Sequence, residues 1–332
     1  MSARAGDAAA GTDAHRAELS WRHALPRHWG TWFGLGLLWL LHRMPRPLLR
    51  AMVPGLALAL RAGSPKRRHI ARVNLSWCFP DLTRDERERL LREHYRYAAQ
   101  SMLDYGMLWF GSPQTHAARI RIVGEEHYQR LRARDVPVIV LAPHSLALDH
   151  GGLRMSQSHD GVSFAKPMRN PVVEWLNHRS RTRYSGDIFT REQGLRPAIR
   201  QIRRGRFFYY LPDEDLGAEG AVFVEFFGVP KATLTALGRL ARMTGAAVLP
   251  SFTSYDEVED QYVLRLWPPL EGFPSGDDRA DARVMNAVIE CAIRETPAQY
   301  LWTMRLFRTR PQGRPHPYRY PPDTGTTGNL QR

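Results

Sequence analysis

The chain has 332 residues, of which 43% are hydrophobic and 24% are charged, close to the average for globular domains. This composition excludes collagen, an extended coiled coil and a wholly disordered chain, and the length fits one or two domains. Basic residues outnumber acidic ones by 47 to 33, so the net charge of +14 favours partners that carry phosphate groups, such as nucleic acid or an anionic membrane. The two cysteines are too few for a disulfide scaffold or an all-cysteine zinc site, and they indicate a reducing compartment.

The first 62 residues differ in character from the rest of the chain. Residues 1–20 are small and polar, which predicts a disordered leader rather than a secretory signal. Residues 29–41, WGTWFGLGLLWLL, carry no charge, but this run is shorter than the about 20 apolar residues that a membrane span needs. A second apolar stretch at 52–60 contains Pro54, and arginines flank both stretches. Residues 21–62 are therefore predicted to anchor the protein on a membrane, and an ordinary buried core helix is the alternative.

From residue 83 onwards the pattern alternates between helices and strands. Thr83 and Glu86 form a T-x-x-E capping box at the start of a helix predicted over 83–110. The β-branched run at 136–141, VPVIVL, predicts a buried strand of a mainly parallel sheet. Further elements are predicted in chain order as a strand at 120–123, a helix at 195–204, a strand at 207–211, a helix at 232–243, strands at 246–252 and 261–267, and a helix at 284–295. This alternation predicts an α/β fold.

His144 and Asp149, in the segment APHSLALDHGG, are the main candidates for chemistry. They follow the predicted strand at 136–141, and ligands of α/β folds bind at the ends of strands. Five residues along a helix turn about 140° away from the starting direction, so Asp149 reaches His144 only if the histidine precedes the helix. A loop histidine oriented by a carboxylate can act as a general base. The alternative is a histidine that caps the helix or is solvated.

Two charged segments follow this motif. Between residues 177 and 206, nine arginines stand against two acidic residues, which favours a substrate with several phosphates or carboxylates. A solvated helix face or a contact with anionic lipids would also explain these arginines. Asp213 and Asp215, directly after the strand predicted at 207–211, would orient a base or an arginine, or form a simple acidic turn. No histidine or cysteine stands close to them, so no metal site is predicted, and the common dinucleotide, P-loop, serine-hydrolase and zinc-protease motifs do not occur in the sequence.

Five segments together resemble the late acyltransferases of lipid A biosynthesis, a family within the lysophospholipid-acyltransferase-like superfamily. One such segment alone is weak evidence, whereas five in the family's order are specific. The resemblance runs from about residue 30 to residue 312. The segments are RRHIARVNLSWCFPDLT at 67–83, APHSLALDHGG at 142–152, FFYYLPDEDLG at 207–217, VFVEFFGVPKATLTAL at 222–237 and PAQYLWTMRLFRTRPQG at 297–313.

The resemblance implies a glycerol-3-phosphate/lysophospholipid acyltransferase-like fold, in which a mixed sheet is flanked by helices. The acyltransferase domain would occupy 63–312, after an N-terminal apolar membrane-anchoring helix and before a flexible tail at 313–332. The enzyme would act at the cytoplasmic face of the bacterial inner membrane and move a fatty acyl chain from acyl carrier protein to a hydroxyl of a phosphorylated, Kdo-bearing lipid A precursor. His144 would be the general base and Asp149 its partner, with neither cofactor nor metal.

The predicted substrate contacts are basic residues near the motif and the two later acids. They are Lys166, Arg169, Arg179, Arg181, Arg183, Asp213 and Asp215. Lys166, Arg169 and the backbone N–H groups that follow His144 are the candidates for stabilising an oxyanion. Three residues depart from the family's pattern, since Lys166 stands for a usual arginine, Glu214 for a glutamine and Met304 for a histidine. These departures indicate either a different acceptor or drift.

Other functions compete with this interpretation. An acyltransferase of the same superfamily that acts on a glycerolipid or another glycolipid would use His144 and Asp149 equally well. A nucleic-acid-binding protein would explain the basic charge, but the sequence has no recognisable binding motif and the apolar segment at 29–41 argues against it. Nucleic acid is therefore not expected as a partner. A catalytically inactive membrane scaffold would not need the intact pair.

Overall fold

A seven-stranded sheet forms the centre of the molecule. The computed structural model describes residues 14–311, 314 and 317–319. Within them, the order across the sheet is β1-β9-β8-β2-β5-β3-β4, and β6 pairs with β7 in a separate antiparallel hairpin. All neighbouring strands of the large sheet are parallel except β8 and β9. The strands are β1 (Ile120–Val123), β2 (Val138–Leu141), β3 (Gly161–Phe164), β4 (Gly186–Phe189), β5 (Phe207–Tyr210), β6 (Ala221–Phe226), β7 (Val229–Leu234), β8 (Ala247–Asp256) and β9 (Gln261–Leu266).

Helices cover both faces of this sheet, which confirms the predicted mixed sheet flanked by helices. Because side chains alternate along a strand, β2 contributes to two separate cores. Ile139 and Leu141 belong to the larger core with α2, α3, α4, α9, α10 and α11, whereas Val138 and Val140 pack with α6 and α7. The helices are α1 (Trp29–His42), α2 (Arg46–Gly63), α3 (Pro65–Cys78), α4 (Arg84–Phe110), α5 (Pro113–Arg119), α6 (Glu125–Arg132), α7 (Leu148–Ser158), α8 (Pro171–Arg181), α9 (Arg196–Arg203), α10 (Ala236–Thr244) and α11 (Asp278–Glu295).

Most of the elements that the sequence predicts are present. The predicted capping box begins α4, since the backbone N–H of Glu86 donates to Thr83 Oγ1 at 3.3 Å and the backbone N–H of Thr83 donates to Glu86 Oε2 at 2.7 Å. The reciprocal bonds satisfy two N–H groups that would otherwise lack partners at the start of the helix. The strand predicted at 136–141 is β2, which is two residues shorter at its start.

The prediction of a helix over 232–243 is wrong for residues 232–235. Ala232 belongs to β7, where it pairs with Phe223 of β6, and α10 begins only at Ala236. Phe227 and Gly228 connect the two strands with φ values of 51° and 71°, the pair of positive values that a two-residue type I′ turn requires. Residues 232–237, ATLTAL, are compatible with a strand as well as with a helix, so periodicity alone does not separate β7 from α10.

The predicted anchoring segment at 21–62 contains α1 and α2, and both helices pack against α4. The side chains of Trp29, Phe33 and Leu40 on α1 are 64%, 77% and 56% exposed. In the part of the chain that the structure describes, no helix combines the length and the apolar character needed to cross a bilayer. Membrane anchoring by this segment stays a prediction.

Parts of both predicted flexible ends contact the domain. Residues 1–13 of the leader lie outside the described residues, but the N–H of His15 donates to the carbonyl of Ile188 at 2.8 Å. In the predicted tail, Tyr318 is buried and donates to Asn74 Oδ1 at 2.6 Å. These described residues are therefore bound to the domain, and most of the predicted tail at 313–332 lies outside the described residues.

Candidate active site

His144 lies in the loop between β2 and α7, at the edge of the sheet where its parallel strands end. The histidine therefore precedes the helix, which is the condition set above for a contact with Asp149. The segment that contains Tyr300 runs beside the loop and fixes its backbone. The N–H of Leu301 donates to the carbonyl of His144 at 2.9 Å, and the N–H of Leu146 donates to the carbonyl of Gln299 at 2.8 Å. The C-terminal part of the fold therefore holds the histidine in place.

Asp213 is the carboxylate that contacts the ring of His144. It follows β5, which neighbours β2, and only 1% of its surface is exposed. Its Oδ1 lies 2.7 Å from His144 Nδ1, and its Oδ2 accepts from the backbone N–H of His144 and from the hydroxyl of Tyr300, each at 2.8 Å. Since an ionised carboxylate only accepts, Nδ1 donates its proton to Asp213 and the neutral ring has its lone pair on Nε2.

The electrostatics of this pair favour an ionised aspartate. Burial alone would lower the pKa of His144, but the charge and the hydrogen bond of Asp213 outweigh it and raise the pKa above its usual value. Burial alone would raise the pKa of Asp213, yet the charge of His144 and the bonds from His144 and Tyr300 lower it. The ring is therefore held in one orientation with a raised basicity, as a general base requires.

The direct contact predicted between Asp149 and His144 is corrected by the structure. Asp149 lies in the first turn of α7, and its side chain points toward α4 and α8. It accepts a hydrogen bond from the hydroxyl of Tyr105 at 2.6 Å and from Arg181 Nε at 2.9 Å. Burial would raise the pKa of Asp149, but the charge of Arg181 and both bonds lower it. A catalytic role of Asp149 stays a prediction.

A cavity of about 490 Å³ opens beside His144 and continues between α7 and the strands β3, β4 and β5. Asp149, Lys166 and Arg181 line it together with the histidine, so these four predicted site residues come together. Asp213 lies behind the ring of His144 rather than on the wall. The cavity wall also contains an ion pair that the sequence did not predict, between Arg191 and Glu214 at 2.8 Å.

The predicted arginine patch is divided among different surfaces. Arg183 donates to the backbone carbonyls of Gly111 and Trp109 at 2.8 and 2.9 Å, so its guanidinium caps the end of α4. Arg179 and Arg169 are exposed and do not line the cavity. Of the three arginines predicted at 179, 181 and 183, only the middle one reaches the site.

Asp215 also lies away from the cavity. Its carboxylate accepts from the backbone N–H and the hydroxyl of Thr309 at 2.6 and 2.7 Å, which ties the loop after β5 to the C-terminal segment. Nearby, the ammonium of Lys231 is fully buried and has no hydrogen-bond partner among the described residues. Burial lowers the pKa of Lys231, while the charges of Asp213 and Asp215 oppose this effect. Within the described ranges, no three acidic, histidine or cysteine side chains form a group that could hold a metal ion.

Sequence reasoning missed Tyr105, Tyr300 and Lys231. Tyr300 lies in the segment at 297–313 that carries the family resemblance, so a signal for it was present. Tyr105 precedes Asp149 by 44 positions. Only the packing of α4 against α7 reveals that contact.

Comparison with known proteins identifies the family of the chain. The sequence pattern of the family described as bacterial lipid A biosynthesis acyltransferase matches residues 16–309. A lipid A biosynthesis acyltransferase of Haemophilus influenzae is 35% identical over 90% of this chain and 94% of its own length. A lipid A biosynthesis lauroyltransferase and a lipid A biosynthesis myristoyltransferase of Escherichia coli are 32% and 34% identical, over 88% and 90% of this chain and 96% and 93% of their own lengths. The chain therefore belongs to the bacterial lipid A biosynthesis acyltransferase family.

Proposed function

We propose that the protein transfers a fatty acyl chain from the thioester of acyl carrier protein to a hydroxyl of a phosphorylated, Kdo-bearing lipid A precursor. The observation that carries this proposal is the ring of His144, which a buried carboxylate orients at the edge of a cavity in a chain of this family. The relatives named as lauroyl-, myristoyl- and palmitoleoyltransferases support a fatty acyl group as the unit transferred.

His144 acts as the general base in this reaction. Its Nε2 accepts the proton of the acceptor hydroxyl while the hydroxyl oxygen attacks the thioester carbonyl carbon. Asp213 stabilises the imidazolium that forms. The new C–O bond replaces the C–S bond, and His144 returns its proton to the departing thiolate, so the carrier leaves as a thiol. The ammonium of Lys166, on the cavity wall, is our candidate for stabilising the oxyanion.

We assign Asp149 a positioning role through Arg181. The carboxylate accepts from the guanidinium at 2.9 Å and fixes it against the cavity wall. Arg181 thereby becomes a pre-oriented cation on the wall of the cavity that His144 also lines. Together with Lys166 and Arg191, which also line the cavity, it makes the entrance suitable for a phosphorylated acceptor.

The exposed arginines of α9 are our candidate docking surface for acyl carrier protein, which is acidic. Arg196 and Arg200 are exposed, and the residues just before α9, Gly194 and Leu195, line the cavity. A carrier bound there would present its thioester at the entrance. Complementary charge accelerates such encounters. We expect Arg196→Glu to raise the KM for the carrier thioester with little change in the KM for the lipid acceptor.

We further propose that the enzyme works at the cytoplasmic face of the bacterial inner membrane. The exposed aromatic and aliphatic side chains of α1, flanked by arginines on both sides, are typical of a helix that lies in a membrane surface. A lipid acceptor would then reach the cavity without leaving the membrane.

The deciding experiment is acyl transfer by the detergent-purified full chain. The assay would supply a panel of acyl carrier protein thioesters and a Kdo-bearing, tetra-acylated lipid A precursor. Mass spectrometry would measure the masses of the products. The wild type is expected to add one acyl chain. His144→Ala is expected to lose this activity, while His127→Ala, a histidine outside the cavity, retains it.

A folded wild type that gives no product with any donor would overturn the lipid A proposal. Glycerolipid and other glycolipid acceptors, tested in parallel, would then decide whether the same site serves a different acceptor. If His144→Ala keeps full activity and the thermal unfolding of wild type and variant is the same, His144 is not the general base.

A further inference from the structure

The cavity beside His144 extends along the whole height of the sheet. Because α7 runs antiparallel to the strands, it leads from the edge where His144 lies back to the edge where β3 and β4 begin. Leu148, Gly152 and Ser156 all line the cavity, and their spacing of four residues places them on one face of α7. From the first to the last of them, the helix rises about 12 Å.

The opposite wall is the face of the sheet turned toward α7. Gly161 pairs with Phe207 and Ser163 pairs with Tyr209, and parallel partners point to the same side of a sheet. Gly186 lies on this side too, as the partner of Gly161. All of these residues line the cavity. Missing or short side chains on both walls therefore leave a groove between helix and sheet.

The inner end of this groove is closed by close packing. A Cβ on Gly186 would lie 2.6 Å from the carbonyl oxygen of Arg181 and 3.7 Å from the Cβ of Ser156, so the end of α8, the start of β4 and α7 leave no open space there. The ring of Phe207 covers Gly161, where a Cβ would lie 2.1 Å from the Phe207 Cζ. The groove is thus open at the general base and blocked at the other edge of the sheet.

The walls between these ends are mostly apolar, and the acidic side chains on them are paired with arginines. Leu148, Leu153, Ile188, Phe207 and Tyr209 line the groove. Sugar hydroxyls placed against these side chains would lose their hydrogen bonds, which makes a headgroup unfavourable there. A linear hydrocarbon chain whose carbonyl end stays near His144 fits such walls.

We propose that this groove holds the acyl chain of the donor, and that Gly152 and Ser156 set the longest chain it accepts. The inference rests on the proposed acyl transfer and adds the part of the site that selects the donor. Ser156 stands at the closed end, and Gly152 lies about 6 Å nearer to His144 along the helix. The relatives named for lauroyl and myristoyl transfer differ in chain length, so a feature of this kind must distinguish members of the family.

Two substitutions at different depths test the proposal. At Gly152 a Cβ would lie 3.6 Å from Tyr209 Cε1, an ordinary contact, so added methyl groups fill the groove without a clash at Cβ. Ser156→Val is expected to move the preferred donor to a shorter chain, and Gly152→Val is expected to move it further in the same direction. Each methylene that no longer fits lowers kcat/KM by about fourfold, since burial of a methylene contributes about that factor.

Ser158→Val is the matched control, because Ser158 is exposed on the same helix and does not line the groove. Its chain-length preference is expected to equal that of the wild type. Thermal unfolding of all three variants checks that each is folded. If the two groove variants retain the wild-type preference while transferring acyl groups, the assignment of the groove is wrong.

Equilibrium binding separates this inference from the proposed reaction. A series of saturated fatty acids would compete with a fluorescent fatty acid for the purified full chain. The longest acid that binds well is expected to become shorter in Ser156→Val and shorter again in Gly152→Val. If binding depends on chain length but no acyl transfer occurs, the proposed function is wrong and the assignment of the groove stands. If neither substitution changes the binding, the assignment of the groove is wrong.

Discussion

At the scale of single residues, the orientation of His144 depends on one buried carboxylate. Asp213 accepts from the ring, from the backbone N–H of the same histidine and from Tyr300. Hydrogen bonds to a charged group contribute roughly 1.5–3 kcal/mol each, so the ring cannot turn away at low cost. Asp149, by contrast, accepts hydrogen bonds from Tyr105 and Arg181.

We expect Asp213→Asn to reduce kcat about 10²- to 10⁴-fold, because an amide no longer enforces the Nδ1–H tautomer. The wild-type activity should fall as the pH drops through the raised pKa of His144, since the protonated ring cannot act as a base. The variant lacks the negative charge that raises this pKa, so its acidic limb should move to lower pH. The profile of kcat/KM against pH measures both effects.

Asp215→Asn is the matched control for this experiment. Asp215 is also buried and follows the same strand, but it binds Thr309 rather than His144. We expect its acidic limb to coincide with that of the wild type. An Asp213→Asn variant with an unshifted limb would show that another group sets the basicity of His144.

The sequence predicted part of this residue-level arrangement. The position of Asp213 after a strand left an acidic turn and the orientation of a base or an arginine open, and the resemblance added a substrate contact. In the structure Asp213 binds His144 and does not line the cavity. The pairing of His144 with Asp149 was a weaker inference, because helical spacing gives the direction of a side chain but not its neighbour on another helix. Tyr105 and Arg181, which bind Asp149, come from α4 and α8 and carry no local signal for that contact.

At the scale of elements, predictions succeeded where a local signal had one physical meaning. The capping box fixed the start of α4, and the β-branched run predicted β2. The hairpin of β6 and β7 was missed because its turn contains Phe227, which favours no turn, before Gly228. Pairing with β6 therefore determines that residues 232–234 form a strand.

Gly228→Ala tests this hairpin. Gly228 has φ of 71°, and a Cβ there would meet nothing within 4 Å, so the cost is conformational rather than steric with neighbours. We expect the free energy of unfolding to fall by about 1–2 kcal/mol, the cost of the left-handed region for an L-residue. Gly228→Asn should lose less, because asparagine tolerates this region. Urea unfolding compares the two, and equal losses would argue against the turn conformation as the cause.

At the scale of the whole molecule, an ion-pair network joins the N-terminal helices to the edge of the sheet. Arg46, at the start of α2, binds Asp104 of α4 and Asp260 in the turn between β8 and β9. Arg119 binds Asp260 from the other side at 2.9 Å. Burial would raise the pKa of Asp260, but the bonds from Arg46 and Arg119 lower it. This contribution to stability is present above the usual pKa of aspartate and is lost as the pH falls below it.

Arg46→Met should lower the free energy of unfolding by about 3 kcal/mol, the lower end of the range for breaking a buried ion pair. The buried Asp104 loses its cation but keeps hydrogen bonds from Gln100 and Tyr262. Urea unfolding near neutral pH measures the loss. Arg50→Met, an exposed neighbour on α2, is expected to change stability by less than about 0.5 kcal/mol. Similar values for both variants would mean that the network does not fasten the N-terminal helices.

The same N-terminal helices carry the exposed apolar side chains that we expect to meet the membrane. Phe33 on α1 is 77% exposed, so its burial in lipid would contribute roughly 1.5–3 kcal/mol. Phe33→Ala should therefore weaken binding to anionic vesicles at least about tenfold, since 1.4 kcal/mol corresponds to a factor of ten.

The net charge of +14 adds an electrostatic part to this binding, and salt screens that part. The binding of wild type and variant should therefore weaken together as the salt concentration rises. Met243→Ala on α10, also exposed, provides the comparison in a co-sedimentation assay. If Phe33→Ala and Met243→Ala reduce binding equally, α1 has no special role, and the anionic surface is recognised through charge alone.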